Sequence, residues 1–274
     1  MMNVSFAQPR EMVEFDGERC TPWVETQILS AHIHRYLSVL ELCQGKRVLD
    51  IACGEGYGAA MLIRNGAACV TGVDIDAEAV ARANRVYAHD GLGYAQGDIR
   101  QPLPLDDDAF DVIVCFETIE HIAEHDAFIA ELDRVLAPGG VVVISTPDAR
   151  TSDPDAPNPF HAKELTEAEF LNLIGKTFEH VSTCYQGFHF GSVITREDGS
   201  GASQNWSRQG FLDYAEDQQL LRRYVIAVAS HDAEVDIPIG LLHDGLIIAS
   251  LNKRIRALEA ELASARAEQT TVST

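Results

Sequence analysis

The run Val48-Leu49-Asp50-Ile51-Ala52-Cys53-Gly54-Glu55-Gly56-Tyr57-Gly58 constrains the fold more than any other stretch of the chain. A β-rich segment meets a glycine turn and passes into a helical pattern. The backbone there can approach a ligand closely, and the helix N-terminus adds free amides and the positive end of its dipole. From Lys46 to Thr146, short β-rich runs alternate with amphipathic helical stretches, the pattern of a parallel sheet covered by helices. Strands are expected at 47–51, 69–73, 92–96, 110–115 and 141–145, and helices at 57–65, 77–89 and 123–137. The last helix is expected to stop at Pro138-Gly139-Gly140, before the apolar run Val141-Val142-Val143-Ile144. Two further strands, near 178–186 and 224–229, bring the count to seven. Helices are expected at 24–42 and 165–175. Residues 147–165, with four prolines, read as a long loop, and the Gly- and Ser-rich stretch from 187 as an insertion.

Charge narrows the partners. The 274 residues carry 21 Lys+Arg against 42 Asp+Glu, a net charge of −21, which repels a phosphate backbone and argues against nucleic acid. At 46% hydrophobic the chain can bury a substantial core, while no apolar run approaches the length that spans a bilayer. The N-terminal stretch lacks the pattern of a signal peptide, so a cytoplasmic location is the expectation. Six scattered cysteines without a C-x-x-C pair suit reduced thiols.

The tail differs in kind. Leu241, Asp244, Ile248, Leu251, Ile255, Leu258, Leu262 and Ala265 recur alternately three and four apart, a coiled-coil seam. It predicts a helix over 241–268 that pairs with a second subunit or a partner; a helix folded back on its own domain is the alternative. Lys253, Arg254, Arg256 and Arg266 balance Asp244, Glu259, Glu261 and Glu268, so the net acidity lies before residue 241.

Acids at successive strand ends discriminate between ligands. Gly54, Gly56 and Ala59 satisfy G-x-G-x-x-A, with Asp74 near the distance expected for a ribose contact, so a dinucleotide fits the glycines alone. Asp50, however, would place a second negative charge beside a pyrophosphate, whereas an ammonium or sulfonium would be attracted to it. Asp74 can accept both ribose hydroxyls, and Asp98 an exocyclic adenine amine.

At these residues the sequence resembles the class I S-adenosylmethionine-dependent methyltransferases over about residues 45–185. The resemblance covers the acidic glycine loop Asp50–Gly58, Asp74, Asp98, the segment Phe110–His121 and the helix and turn Leu132–Gly140, with Cys53 where many members have glycine. It implies an α/β, Rossmann-like fold: a seven-stranded, mostly parallel sheet with helices on both faces, here followed by the coiled-coil helix. Residues 1–45 are expected to form a cap or lid, 46–232 the methyltransferase domain with 187–222 inserted near the acceptor site. The implied cofactor site comprises Asp50, Ala52, Cys53, Gly54, Gly56, Asp74, Ile75, Asp98, Ile99, Glu117 and Thr118, taking S-adenosyl-L-methionine and releasing S-adenosyl-L-homocysteine.

A narrower resemblance, carried by Gly17-Glu18-Arg19, His34-Arg35-Tyr36, Phe116–His121 and Asn158–Leu165, is to methyltransferase domains associated with glycosyltransferases of bacterial surface-polysaccharide assembly. It implies a sugar or glycan hydroxyl as acceptor. An alcohol has a proton to lose, and His121, His161 and the carboxylate of Glu120 are the candidate catalytic residues. Trp23, Tyr36, Phe160 and Trp206 are candidates to stack on a sugar face. His121-Ile122-Ala123-Glu124-His125 matches H-x-x-E-H, but spacing identifies no third ligand, and no metal is expected. Asp106-Asp107-Asp108 reads as a solvated turn. Competing readings are O- or C-methylation of a small aromatic or quinone-like molecule, an NAD-dependent oxidoreductase, and a non-catalytic cofactor-binding scaffold.

Overall fold

The computed structural model describes residues 20, 27–152, 155, 158–188 and 222–239, together with the backbone of 206–208 and 214–216. The predicted coiled coil (241–268), Trp23 and most of the cap (1–45) lie outside the described residues.

In chain order the elements are α1 (Gln27–Ser38), β1 (Arg47–Ile51), α2 (Tyr57–Arg64), β2 (Cys69–Asp74), α3 (Ala77–Val86), β3 (Leu92–Gln96), β4 (Phe110–Phe116), α4 (His125–Val135), β5 (Leu136–Pro147), α5 (Glu167–Ile174), β6 (His180–Gln186), β7 (Trp206–Arg208), β8 (Tyr214–Glu216) and β9 (Tyr224–Ser230). Seven strands form one sheet in the order β3-β2-β1-β4-β5-β9-β6. The first five pair in parallel, and β9 runs antiparallel to both β5 and β6.

Strand side chains alternate between two cores, as the two-residue period requires. Val48, Val70, Val114 and Val143 pack with Tyr36, Met61 and Val80 of α1, α2 and α3. Leu49, Val73, Ile113 and Ile144 pack on the other face with Phe128 and Leu132 of α4 and Phe170 of α5. Sandwiched on both sides, the strands are near-continuous apolar runs, which is why they were legible. Helix starts follow local chemistry: the Asp76 carboxylate accepts from the amides of Glu78 and Ala79, and Thr166 with Glu169 forms a capping box on α5.

One expectation needs correction. Pro138-Gly139-Gly140 is not a turn between helix and strand: α4 ends at Val135 and β5 begins at once at Leu136. Phe110 pairs with Leu136 and Val112 with Val141, so residues 137–140 bulge from the ladder opposite Asp111 alone. Proline cannot donate to the ladder and Gly139 takes φ +75°, so the segment is absorbed as a bulge. Within the stretch read as an insertion, β7 and β8 pair as an antiparallel ribbon.

The chain leaves β1 outward through β2 and β3, then returns to β4 on the opposite side of β1. Connections diverge at the carboxyl ends of β1 and β4, the crevice where open α/β sheets bind ligands. Among the described residues no helix is long and apolar enough to cross a membrane.

Candidate active site

A cleft of about 780 Å³ opens at that crevice. One half is built by the β1–α2 turn and the ends of β2 and β3. Ala52, Gly54 and Gly56 all take left-handed backbone, at φ 55°, 54° and 82°, and an alanine there is uncommon enough to mark a constrained site. The two glycines differ in purpose. A Cβ on Gly54 would meet nothing within 4 Å and would project into open space. One on Gly56 would lie 2.6 Å from a ring carbon of Tyr94, whose hydroxyl donates to the Gly56 carbonyl at 2.6 Å. The loop is further clamped by Glu55, a buried carboxylate held by Arg82 of α3 at 2.6 and 2.8 Å.

Asp74 closes β2 at the cleft wall. Its two oxygens accept from the amides of Gly54 (2.8 Å) and Asp76 (3.0 Å), which fixes the carboxylate at the cleft wall. Ile75 beside it is 53% exposed, an apolar side chain facing the cavity. Asp98 and Ile99 also line this half. The guanidinium of Arg100 grips Asp98 through both oxygens (2.8 and 2.7 Å), holding its carboxyl below the usual range.

The other half is built by the end of β4 and the loop after β5. Glu117 sits at φ +53°, a strained conformation that turns its side chain into the cleft. Ser145 Oγ donates to it at 2.7 Å, and Arg35, itself only 2% exposed, pairs with it at 3.4 Å. Thr118 follows, and then the short turn Ile119–His121. Glu120 is 1% exposed and accepts from Thr146 Oγ1 at 3.1 Å; burial and the neighbouring Glu117 push its carboxyl well up. His121 and His161 meet edge to face, ring centroids 5.0 Å apart. Their Nδ1 atoms are committed, to the Phe160 carbonyl at 3.0 Å and to Glu164 Oε1 at 2.6 Å.

Residues 49–144 match the family model described as a methyltransferase domain. The chain is 36% identical over 227 residues to a probable S-adenosylmethionine-dependent methyltransferase of Mycolicibacterium smegmatis, spanning 80% of this chain and 86% of that one. It belongs to the S-adenosylmethionine-dependent methyltransferases. Over a shorter span of 147 residues it is 32% identical to a ubiquinone biosynthesis O-methyltransferase of Sodalis glossinidius, covering 50% of this chain and 59% of that one. Among solved structures, a complex of the Haloferax volcanii Trm112 methyltransferase activator with a putative methyltransferase shares the fold at TM-score 0.53 and 18% identity, covering 78% and 94%.

The methyltransferase's cofactor, S-adenosylmethionine, fits the residues present. Gly54 leaves bare a space that any side chain would enter, the ordered Asp74 carboxylate suits a pair of ribose hydroxyls, and Ile75 offers a flat apolar contact. Of the residues read from the sequence, Ala52, Cys53, Gly54, Asp74, Ile75, Asp98, Ile99, Glu117, Thr118, Glu120, His121 and His161 line the cleft.

Asp50 and Gly56 do not line it. Asp50 lies beneath the loop, 1% exposed, where Tyr36 Oη donates to both its oxygens (3.0 and 3.2 Å) and burial raises its carboxyl to about 7. It therefore anchors the wall instead of meeting a cationic ligand across open space. Gly56 is packed under Tyr94 for the steric reason above. Tyr36 reaches the cleft wall but is buried, with its hydroxyl spent on Asp50, whereas Phe160 is 52% exposed at the rim. The H-x-x-E-H pair does not form, because His125 turns into the core and bonds the Ile119 carbonyl at 3.1 Å. Sequence reasoning gave no role to Arg35, Thr146, Asn158 or Glu164. Arg35 and Thr146 act on Glu117 and Glu120 from other elements, a partnership no local spacing announces, whereas Asn158 and Glu164 hold His161 from three residues away in its own loop.

Proposed function

We propose that this methyltransferase O-methylates a hydroxyl of a sugar or glycan. The observation that carries the reading is the character of the cleft beyond Glu117. Glu120, His121, His161, Asn158 and Arg223 line it with hydrogen-bonding groups, and the exposed ring of Phe160 offers a face on which a sugar can stack.

When bound, S-adenosylmethionine supplies an electrophilic methyl group on sulfur. The chain's own part is to hold the acceptor in line, a positioning effect that alone supplies much of the acceleration in such reactions. Asp74 and the Gly54 turn orient one reactant, while the Glu120–His121–His161 cluster holds the hydroxyl and is where its proton is lost. Residues 241–268 serve as the contact for a second copy or a partner helix, and the acidic globule keeps nucleic acid away.

The similarity to a ubiquinone biosynthesis O-methyltransferase supports a second reading, a phenolic hydroxyl on a quinone-like ring. Incubation with methyl-labelled S-adenosylmethionine and two panels, neutral oligosaccharides and substituted catechols, separates them. Label on the oligosaccharides, reduced at least tenfold in His121→Ala, is the expected result. Label on catechols alone replaces the glycan reading with the second.

A further inference from the structure

Glu120, His121 and His161 bring their ligating atoms, one from each residue, to within 4.8 Å of one another. They come from two segments, the end of β4 and the loop before α5, tied together where Lys163 N donates to the Glu120 carbonyl at 3.0 Å. Beyond this proximity, the surrounding hydrogen bonds set the histidine tautomers. A carbonyl oxygen only accepts, so His121 Nδ1, 3.0 Å from the Phe160 oxygen, carries a proton, and Nε2 is the ring nitrogen left to act as a ligand atom.

His161 repeats the arrangement with a carboxylate. Its Nδ1–H donates to Glu164 Oε1 at 2.6 Å, and its Nε2 accepts from Asn158 Nδ2 at 3.0 Å. The Asn158 amide is not free to present its oxygen instead, because Oδ1 accepts from the Phe160 amide at 3.0 Å. Both rings thus hold Nδ1 on a protein acceptor, which makes Nε2 the nitrogen that can ligate an ion. An outer carboxylate or carbonyl holding Nδ1–H is the support that metal-binding histidines ordinarily have. Glu120 completes the set: a carboxylate 1% exposed whose side-chain partner, Thr146, is a neutral hydroxyl.

We propose that Glu120, His121 and His161 form a binding site for a divalent transition-metal ion at the acceptor end of the cleft. Two imidazoles and one carboxylate on one side of an ion suit manganese, iron, cobalt or zinc and leave coordination positions open. Ligand bonds of about 2.1 Å place adjacent ligand atoms roughly 3 Å apart, so the widest gap in the set closes by roughly 1–2 Å, with the ion replacing Asn158 on His161. The open positions take oxygens of the acceptor, a vicinal diol above all. The site rests on the hydroxyl-acceptor reading and sharpens it. A coordinated hydroxyl is more acidic, its O–H bond breaks with the electron pair staying on oxygen, and the proton passes to solvent instead of to a ring nitrogen.

Manganese(II) titrated into the chelator-stripped full chain, followed by electron paramagnetic resonance, tests the site directly. Wild type should remove one equivalent of the free-ion signal. His161→Ala and Glu120→Gln should each weaken binding more than about tenfold, and Glu164→Gln about tenfold through the ring it supports. His161 lies on a surface loop, so its variant keeps the test valid if Glu120→Gln fails to fold; thermal melting reports which has occurred. Wild type that leaves the signal intact at roughly millimolar ion, or His161→Ala that binds as tightly as wild type, overturns the site. Methyl transfer to a hydroxyl at full rate in chelator removes the metal and leaves the acceptor reading standing. Manganese bound by the triad in a protein that methylates no hydroxyl keeps the site and removes that reading.

Discussion

Asp50 is held in a buried position with its carboxyl raised from 3.8 to about 7, and burial is the main cause. The sign of the consequence follows. Below about pH 4 the group is neutral both folded and unfolded and costs nothing. As pH rises toward 7 the unfolded chain ionises freely while the folded one resists, so stability is lost across that window, up to an order of 4 kcal/mol for a shift of this size. Asp50→Asn should flatten this loss, seen as a smaller fall in urea midpoint between pH 5 and pH 8 than wild type shows. An identical fall in both proteins would contradict the assignment. The same residue shows what one sequence can disclose: its place at the end of β1 was legible from the apolar run before it, but its partner Tyr36 belongs to α1. Asp74 was legible in place at the end of β2, because the amides that order it come from the β1–α2 turn and the start of α3.

The β1–α2 turn separates two tasks that look alike in sequence. Gly54→Ala adds a methyl group where nothing stands within 4 Å, with a strain of about 1 kcal/mol from φ +54°. It should melt close to wild type and bind S-adenosylhomocysteine about tenfold more weakly. Gly56→Ala meets Tyr94 and Ala83 inside contact distance at φ +82° and should cost more than about 2 kcal/mol of stability. Calorimetric binding and thermal melting on both variants check the division; two variants with the same profile would refute it. Elements with buried apolar periodicity were legible to within a few residues. The Pro138-Gly139-Gly140 bulge was not, since those residues are equally good turn formers and only the ladder with β4 decides between the outcomes. Glu117's positive φ was likewise invisible, and the side chains that hold its carboxylate, Ser145 and Arg35, come from distant elements.

At the scale of the molecule, the crossover beside β1 gathers residues from Cys20 to Tyr224 around one cleft. Family and cofactor were readable because they depend on motifs in order along the chain; Glu120, His121 and His161 were named together as candidate catalytic residues, but the closeness of their ligating atoms was not readable, because it depends on where a later loop folds. The apolar stripe of the tail predicts self-association, so Leu251→Asp should shift the chain to a smaller species in light scattering while leaving cofactor affinity unchanged. An unchanged mass would assign the stripe elsewhere. The central claim is that the Gly54–Asp74 half of the cleft holds S-adenosylmethionine through its ribose. Calorimetry of S-adenosylhomocysteine against wild type and Asp74→Ala tests it most directly. The account expects one site in wild type and, from the loss of a charge-assisted bidentate contact, an affinity lower by more than about tenfold in the variant; equal affinity in the two proteins would contradict it.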